Sequence, residues 1–509
     1  MRFFELRGLQ IIIQISEQDF GFDLKDTKHY KEYIHHLKRK HEALSKLQAR
    51  IDSPYFMTSH EEKYFDILQH PLQPLKHHLS SLTYDVFESD PIKYQLYEDA
   101  IKLAIYDSLK NDNGKKKKER SDPFIMIMAG AGRGPIVDRA IYAANYNNLE
   151  NYTIVIVEKN PSAIATLKQK ISNAWSGNNV IVNNRLLQYN SEGKLPKIPK
   201  FDEDANRRGH VPPHLIESQK RRVLPKIVLI EADMRFAAKQ YFEKMGSSEE
   251  KRADLLISEL LGSFGDNELS PECLDPIQLL LKPKTGISIP QNYSAFLSPI
   301  SSHKLFNEIR ALNLPENLNR GGSINKLFEQ EWLVRLSNYC PATNQKTGAK
   351  KLWEFHHPNP EIYDKKVEIY DKSGNLIDLT LPYSNHNDRF SSVTFKTSYD
   401  GIVIHGFAGY FECLLYESTS PEYSNRKVMM SINPGTHTVS MISWFPLFFP
   451  LRPDNLLKNW TCDQNDLCIN FWRKSRADSV WYEWCVTEPV AGDIHNFEGW
   501  SHKIGSFVE

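Results

Sequence analysis

The sequence lacks most of the features that mark specialised classes of protein. Its 63 basic and 63 acidic residues leave no formal net charge, which argues against a dedicated nucleic-acid or membrane-surface binder. Its longest apolar runs, such as 444–451, are far too short to cross a bilayer, and the N-terminus has no uninterrupted apolar segment of the signal-peptide kind. With 509 residues, the chain is long enough for two or three globular domains.

Cysteine is scarce, and histidine forms no metal-binding pattern. The six cysteines include no CxxC pair and lie in apolar segments, which predicts buried, reduced thiols in a cytoplasmic or nuclear protein. The pairs His35-His36, His77-His78 and His356-His357 have no partners at zinc-ligand spacing. We interpret them as surface histidines and predict no metal site.

From Pro123 the chain alternates between short apolar runs and helical segments, the pattern of a parallel sheet built from βαβ units with helices on both faces. One helix is predicted to begin near Pro135 and another to span 161–175. Residues 183–225 lack periodicity and carry basic clusters, so we interpret them as a surface insertion. The predicted strands are 124–128, 151–157, 180–182, 226–230 and 255–257.

The segments on either side of this region have a different character. Residues 9–15 and the helix expected after Thr27 form a βα unit without neighbours, and Asp90-Pro91 predicts a helix through about Leu109. After Pro290, β-branched and aromatic runs separated by turn residues indicate an antiparallel barrel or sandwich. These runs are 393–397, 402–415, 427–433, 467–473 and 480–486.

A glycine-rich turn, AGAGRGP at 129–135, lies between a predicted strand and a predicted helix. Glycines at such a turn let the backbone approach a ligand, and the helix N-terminus offers unpaired N–H groups. The pattern suits a dinucleotide or S-adenosylmethionine. We favour the smaller cofactor, because the GxGxxG spacing and a second nucleotide-binding half are both missing.

Acidic residues follow the predicted strands at the edge where such sheets bind ligands. Glu158, 26 residues after Gly132, could accept hydrogen bonds from both ribose hydroxyls. Asp233 and the backbone of Met234 could contact an adenine edge, and Glu259 ends the next strand. Because the carboxyl ends of parallel strands meet at one edge, we expect these groups to lie together.

The segment SELLGSFGDNE at 258–268 places Glu259 and Glu268 nine positions apart around a turn. Two carboxylates that face one point suit a planar, five-donor cation such as guanidinium. The alternative is that one glutamate caps a helix and the other is a solvated loop residue.

Longer motifs give the chain a specific resemblance. From about residue 66 to the C-terminus it resembles the protein arginine N-methyltransferase 5 family, the type II enzymes that form symmetric dimethylarginine. The resemblance implies a Rossmann-like S-adenosyl-L-methionine-dependent domain followed by a β-barrel domain. The motifs are, in order, LQHPLQPL, TYDVFESDPIKY, GAGRGP, VEKNP, EADMR, SELLGSFGDNELSPECLD, GISIP, HGFAGYFE, SWFP and VWYEW.

The resemblance implies a role for each matched residue. Glu259 and Glu268 would hold the substrate guanidinium as the catalytic pair, and Phe87 would direct the second methyl group to the other terminal nitrogen. Ser443 and Trp444 match a loop of the barrel domain that faces the substrate. The implied cofactor-binding residues are Tyr84, Lys93, Tyr94, Gly130, Gly132, Arg133, Glu158, Asp233 and Met234.

The resemblance also implies a division into domains. We expect a remnant of an N-terminal (β/α)8 barrel at 1–65, a linker with helices at 66–122, the cofactor-binding domain at 123–290 and a barrel domain with oligomerisation elements at 291–509. A complete (β/α)8 barrel needs about 250 residues. In the family this barrel contacts a WD-repeat partner protein, so an incomplete barrel makes binding of that partner doubtful.

Several functional expectations follow from the family. They are protein substrates with Gly-Arg-rich or histone-tail segments, a homo-oligomer, no membrane or direct nucleic-acid contact, and a cytoplasmic and nuclear location. One alternative is a non-catalytic scaffold of the same family. Another is the same chemistry with an asymmetric or monomethyl product, against which Phe87 argues.

Overall fold

The computed structural model describes most of the chain from Phe65 onward. Tyr64–Thr438 and Ser443–Glu509 form one compact unit. The strand predicted at 9–15 and the helix after Thr27 lie outside the described residues. The described residues are 65–110, 122–175, 179–182, 185–188, 223–312, 326–336, 348–396, 402–423, 426–455, 457–460 and 466–506.

The predicted parallel sheet is confirmed, in the strand order β5-β2-β1-β6-β7. Strands β1 and β2 are buried along their whole length, as expected for apolar strands with neighbours on both sides. Ile125, Ile127 and Val155 pack in one core cluster with Tyr241 and Phe242 of a following helix. The strands are β1 (Phe124–Ala129), β2 (Tyr152–Glu158), β5 (Lys226–Glu231), β6 (Leu255–Ser258) and β7 (Ile287–Ile289).

The strand predicted at 180–182 exists, but its expected place in the parallel sheet is wrong. It forms β3 (Asn179–Val182), which pairs antiparallel with β4 (Arg185–Gln188) in a separate two-stranded sheet. Only two residues connect β3 to β4, so this pairing closes a much shorter loop than a place in the parallel sheet would require. Strand β4 lies within the segment interpreted as an insertion, where no strand was predicted.

The helices begin at strong sequence signals. The helix predicted from Asp90-Pro91 to about Leu109 is confirmed: the Asp90 carboxylate accepts from the backbone N–H groups of Ile92 at 3.0 Å and Lys93 at 3.3 Å. The helices are α1 (Ser81–Glu88), α2 (Pro91–Leu109), α3 (Pro135–Tyr146), α4 (Pro161–Asn173), α5 (Ala238–Met245), α6 (Ser270–Ile277) and α7 (His303–Leu312).

The predicted antiparallel region is also confirmed, and it contains several sheets. The largest has the order β10-β8-β15-β17-β9 with β16 beside β15, and a second has the order β13-β19-β20-β21. The strands are β8 (Asn292–Ile300), β9 (Trp332–Leu333), β10 (Lys350–His356), β11 (Val367–Tyr370), β12 (Leu376–Thr380), β13 (Arg389–Phe395), β14 (Ile402–Ile404), β15 (Gly406–Glu417), β16 (Lys427–Ser431), β17 (Leu447–Pro450), β18 (Leu457–Trp460), β19 (Leu467–Arg476), β20 (Ser479–Glu488) and β21 (Gly505–Ser506).

The apolar run at 402–415 is divided between two sheets. It is interrupted at His405, so that β14 pairs with β18 whereas β15 pairs with β8 and β17. A Cβ atom on Gly406 would lie 2.4 Å from the Phe449 carbonyl oxygen, so β15 starts where two backbones approach closely.

Two predictions about single residue types have mixed outcomes. Cys273, Cys413 and Cys485 are buried free thiols, as predicted, whereas Cys468 is only half-buried. Cys340 and Cys462 lie outside the described residues. His356 is exposed, but His357 is buried and stacks on Tyr293, so the interpretation of His357 as a surface residue is wrong.

Among the helices that the structure describes, none has the length and apolar character needed to cross a membrane.

Candidate active site

A cleft of about 1030 Å³, including its space open to solvent, lies at the carboxyl edge of the parallel sheet. It is bounded by α1, the glycine-rich turn and the loops that follow β2, β5 and β6. The structure therefore brings most of the predicted site residues together, as the rule for parallel sheets requires. Those that line the cleft are Tyr84, Phe87, Tyr94, Gly130, Gly132, Arg133, Glu158, Asp233, Met234, Glu259 and Glu268.

The glycine-rich turn needs glycine for its conformation and for space. Gly130 and Gly132 have φ values of +70° and +53°, in the left-handed region that other residues avoid. A Cβ atom on Gly132 would lie 3.0 Å from the Tyr84 ring. The turn therefore brings its backbone against α1, and the N–H groups of Gly130 and Gly132 donate to the Val157 carbonyl and the Glu158 carboxylate.

Glu158 ends β2, and the backbone fixes its carboxylate. Its oxygens accept hydrogen bonds from the N–H groups of Gly132 at 2.7 Å, Lys159 at 2.8 Å and Asn160 at 2.8 Å. Burial raises the pKa of Glu158, and these three hydrogen bonds oppose that shift. The result is an immobilised acceptor at the cleft wall, suited to hydroxyl donors.

Tyr84 lies opposite Glu158 across the turn. Its hydroxyl accepts a hydrogen bond from Asn160 Nδ2 at 3.2 Å. Burial, together with the charge of Glu158, raises the pKa of Tyr84 to about 12, so the phenol stays neutral and can donate.

Arg133 is held by α1. Its guanidinium donates to Glu88 Oε1 at 2.8 Å and Oε2 at 2.7 Å, and to Asp85 Oδ1 at 2.6 Å. These contacts, first of all the hydrogen bonds to Glu88, raise the pKa of the Arg133 guanidinium. Arg133, which is predicted to bind the cofactor, thus also holds α1 in place at the edge of the cleft.

Asp233 and Met234 follow β5. The Asp233 carboxylate accepts from the backbone N–H of Arg235 at 3.0 Å and from its guanidinium at 2.9 and 3.0 Å. Burial alone would raise the pKa of Asp233, but Arg235 outweighs it and holds the pKa below its ordinary value. Met234 packs over Gly130, where a Cβ atom would lie 3.1 Å from its methyl carbon. These contacts shape the floor of the cleft.

Glu259 directly follows β6 and has a cationic neighbour. Lys93 is 2% exposed, and its Nζ lies 3.6 Å from Glu259 Oε2. The same ammonium lies 5.6 Å from the Phe87 ring centroid, 5.0 Å from that of Tyr94 and 5.1 Å from that of Trp444. A carboxylate and three aromatic faces are a favourable setting for a cation.

Glu268 is the second carboxylate of the predicted pair and also lines the cleft. Burial, followed by the charge of Glu259, raises the pKa of Glu268, whereas Lys93 opposes the shift. Within the described residues its carboxylate makes no hydrogen bond or ion pair. The two predicted carboxylates and Lys93 thus act on one another electrostatically.

Lys93, Ser443 and Trp444 do not line the cleft itself. Lys93 reaches Glu259 from within α2, as described above. The Ser443 N–H donates to Asp90 Oδ2 at 2.8 Å, and Trp444 Nε1 donates to the Leu261 carbonyl at 2.7 Å. The loop before β17 is therefore fixed both to the α2 cap and to the segment that carries the two glutamates.

Several cleft residues were not predicted from the sequence. His77 lines the cleft although it is exposed as expected, and Asn160 caps α4 while it supports Glu158 and Tyr84. The available signals were the LQHPLQPL motif before α1 and the Asn-Pro helix start in VEKNP. The other unpredicted lining residues are Pro74, Leu75, Leu79, Glu88, Ala131, Pro135, Ile136, Lys159, Ala232, Leu260 and Cys273.

Two family models match nearly the whole described chain. The one described as PRMT5 arginine-N-methyltransferase matches 56–198 and 213–289, and the one described as PRMT5 oligomerisation domain matches 292–504. The sequence is 33% identical to protein arginine N-methyltransferase 5 of Xenopus laevis over 442 residues, covering 87% of this chain and 53% of that protein. It is 32% identical to protein arginine N-methyltransferase skb1 of Schizosaccharomyces pombe over 502 residues, covering 96% of this chain and 61% of that protein. The chain thus spans between half and two thirds of these relatives' length.

Solved structures show a more distant likeness. Protein arginine methyltransferase 10 of Arabidopsis thaliana aligns with a TM-score of 0.47 at 11% identity, over 82% of this chain and 97% of that one. A Trypanosoma brucei PRMT1 enzyme-prozyme complex with AdoHcy aligns with a TM-score of 0.46 at 12% identity, over 81% of this chain and 94% of that one. Likeness at this level adds nothing to the assignment of the site.

Proposed function

The chain belongs to the protein arginine N-methyltransferase 5 family, and we propose that it transfers methyl groups from S-adenosylmethionine to guanidinium nitrogens of arginine residues in proteins. The observation that supports this most directly is the pair Glu259 and Glu268 at the cleft, beside aromatic rings that already surround a cation. The pair lies at the same sheet edge as the glycine-rich turn and Glu158.

The cleft residues fit S-adenosylmethionine, which supplies an electrophilic methyl group on a sulfonium. Glu158 would accept from the ribose hydroxyls, because its carboxylate is already fixed by backbone N–H groups. Asp233 and the Met234 backbone would meet the adenine. Gly130 and Gly132 leave the space that a Cβ atom would fill. The groups proposed for the amino-acid end are Tyr84, Lys93, Tyr94 and Arg133.

The two glutamates would prepare the substrate nitrogen. A guanidinium is delocalised and charged, so it has no free lone pair for attack. Charge-assisted hydrogen bonds from the guanidinium to both carboxylates would localise the positive charge away from the reacting nitrogen and hold its orientation. Positioning of this kind can lower a barrier by about 7–11 kcal/mol in favourable systems.

Glu268 is the proton acceptor in this proposal. The attacking nitrogen loses a proton when it gains a methyl group, so a base must be within reach. Burial and the neighbouring Glu259 raise the pKa of Glu268, which favours proton uptake by that carboxyl.

Phe87 would decide the product. Its ring lines the same cleft as Glu259 and Glu268, where its bulk would limit which terminal nitrogen of a monomethylated arginine can face the cofactor. We propose symmetric dimethylarginine as the final product, with monomethylarginine as the intermediate.

The proposed partners follow from the family. They are proteins with Gly-Arg-rich or histone-tail segments, and a second copy of the chain, which the match to the oligomerisation-domain model at 292–504 supports. A cytoplasmic and nuclear location, to be checked by fractionation, completes the proposal.

One experiment tests the activity and the product together. The purified chain is incubated with radiolabelled S-adenosylmethionine and a Gly-Arg-rich peptide, and the methylarginine isomers are resolved. We expect monomethylarginine first and symmetric dimethylarginine later. Absence of incorporation would favour a non-catalytic scaffold, and an asymmetric product would contradict the role given to Phe87.

A further inference from the structure

Arg473 is buried on β19, and each of its three guanidinium nitrogens donates a hydrogen bond. It is 0% exposed, and it donates from Nε to Asp266 Oδ2 at 2.6 Å and from Nη2 to Glu272 Oε2 at 2.8 Å. A third bond runs from Nη1 to the Asn387 carbonyl at 3.1 Å. An arginine of the antiparallel region thus binds two carboxylates of the segment that follows β6.

Asp266 gathers further donors from the same region. It is 1% exposed, and its Oδ2 also accepts from the Tyr482 hydroxyl at 2.8 Å. Its Oδ1 accepts from Trp353 Nε1 at 3.1 Å. Three donors from three different strands therefore fix one carboxylate, which makes this point of the turn rigid.

The two carboxylates bound by Arg473 lie on either side of Glu268. Asp266 precedes Glu268 by two residues and Glu272 follows it by four. Between the anchors, the Leu269 N–H donates to the Asp266 carbonyl at 3.0 Å, and Leu269 has a left-handed φ of 65°. The backbone at Glu268 is therefore clamped at both ends of a short, tightly turned stretch.

Glu268 has little else to fix its position. Glu259 has Lys93 as an ionic neighbour, whereas in the described part of the chain the Glu268 carboxylate has no hydrogen bond or ion pair. Its direction must then come from its backbone and the packing around it.

We propose that Arg473 is a positioning residue for Glu268, which holds the glutamate at the cleft by binding Asp266 and Glu272 on its two sides. The inference rests on the proposed function and adds a residue of the barrel region to the site. Stability alone does not require this cluster, because apolar groups of the same size often replace a buried ion pair without loss. Such groups could not reproduce the direction of the hydrogen bonds that Asp266 and Glu272 accept.

The test compares Arg473→Lys and Tyr482→Phe with Val486→Ala in the full chain. Arg473→Lys keeps the charge but loses the forked geometry, and Tyr482→Phe removes a single donor to Asp266. Val486 is a buried residue of the same strand, four positions from Tyr482, and its apolar side chain cannot donate to either carboxylate, so its truncation controls for lost stability. A displacement of about 1 Å can cost on the order of 10²-fold in rate. We expect kcat to fall about 10- to 100-fold in Arg473→Lys and about threefold in Tyr482→Phe.

Other readouts separate positioning from general damage. The Kd for S-adenosylhomocysteine should stay within about twofold, because Glu158 and the glycine-rich turn are untouched. The acid limb of the kcat/KM profile should move to lower pH. A Glu268 side chain that is held less firmly becomes more hydrated, so its pKa falls toward the ordinary value, while the charges of Glu259 and Lys93 near it are unchanged.

Three results decide the matter. Retention of kcat in both Arg473→Lys and Tyr482→Phe would overturn the proposal. An equal loss of kcat in Val486→Ala at a matched loss of Tm would overturn it as well. If the unaltered chain transfers no methyl group, the proposed function itself fails, and the role of Arg473 fails with it.

Discussion

The carboxyl edge of the parallel sheet and the interior of the antiparallel region use charged side chains in opposite ways. In the interior, Arg473 and Asp266 are hydrogen-bonded to each other and to further buried partners, and they are 0% and 1% exposed. At the sheet edge, Glu268 carries a carboxylate that meets no donor in the described residues but lines a cleft. The Arg473–Asp266 arrangement fixes the position of the backbone, whereas the Glu268 carboxylate stays available to accept hydrogen bonds from a ligand.

One short segment joins these two regions. The stretch 258–268 begins at the end of β6, sends Phe264 and Asp266 into the antiparallel core, and returns to the cleft at Glu268. Substitutions along it should therefore alter stability or chemistry according to the region that each side chain enters, which gives the comparison a direct test.

The largest effect is expected for Phe264→Ala. Phe264 is fully buried, with ring centroids 5.1 Å from Phe449 and 5.5 Å from Tyr482, so its loss leaves a cavity in the aromatic core. We expect the free energy of unfolding to fall by about 3–5 kcal/mol in urea titrations. Phe236→Ala serves as control, because Phe236 is 70% exposed. An effect no larger than that of the control would show that the segment does not anchor the core.

Glu259→Gln should act on chemistry instead. It removes one charged acceptor for the guanidinium, and we expect kcat to fall by about 10²- to 10³-fold. The Kd for S-adenosylhomocysteine, measured by calorimetry, should change little, as should the midpoint of urea unfolding. Glu249→Gln, on an exposed turn, provides the control. A large loss of cofactor affinity in Glu259→Gln would contradict the division of roles between Glu259 and Glu158.

Glu158→Gln should weaken cofactor binding by a smaller factor. A hydrogen bond to a charged group contributes about 1.5–3 kcal/mol, which corresponds to roughly 10- to 100-fold in Kd. Glu231→Gln is a matched control, because Glu231 pairs with Glu158 in register at the end of the neighbouring strand but is exposed. Equal effects in the two variants would mean that strand-end charge, and not the backbone-held carboxylate, attracts the cofactor.

The sequence revealed the sheet edge better than it revealed the antiparallel interior. Strand ends, a glycine-rich turn and an Asp-Pro helix start are local signals, so Glu158, Asp233 and Glu259 could be placed before the structure was known. The pairing of β3 with β4, the burial of His357 and the contact between Arg473 and Asp266 depend on residues far apart in the chain or on the competition between alternative pairings. No local pattern distinguishes a buried arginine with two carboxylate partners from a solvated one.

The smallest expected effect is a pH dependence of stability that originates in the antiparallel region. Burial lowers the pKa of His357 to about 4, while the unfolded chain should keep a value near 6.5. The unfolded state therefore binds the proton first, and stability that is full above about pH 6.5 declines as the pH falls toward 4. We expect this residue to contribute a loss of about 1–2 kcal/mol between pH 7 and pH 5, measured by urea unfolding.

His357→Gln removes that titration and can still approach the Tyr293 hydroxyl, which lies 3.0 Å from the imidazole Nε2 in the native chain. The variant should therefore show a flatter dependence of unfolding free energy on pH, while the pH profile of methyl transfer keeps its acid limb. An unchanged stability slope would show that the buried imidazole is not the titrating group. A shifted activity profile would show that the interior and the sheet edge are electrostatically coupled and do not act separately.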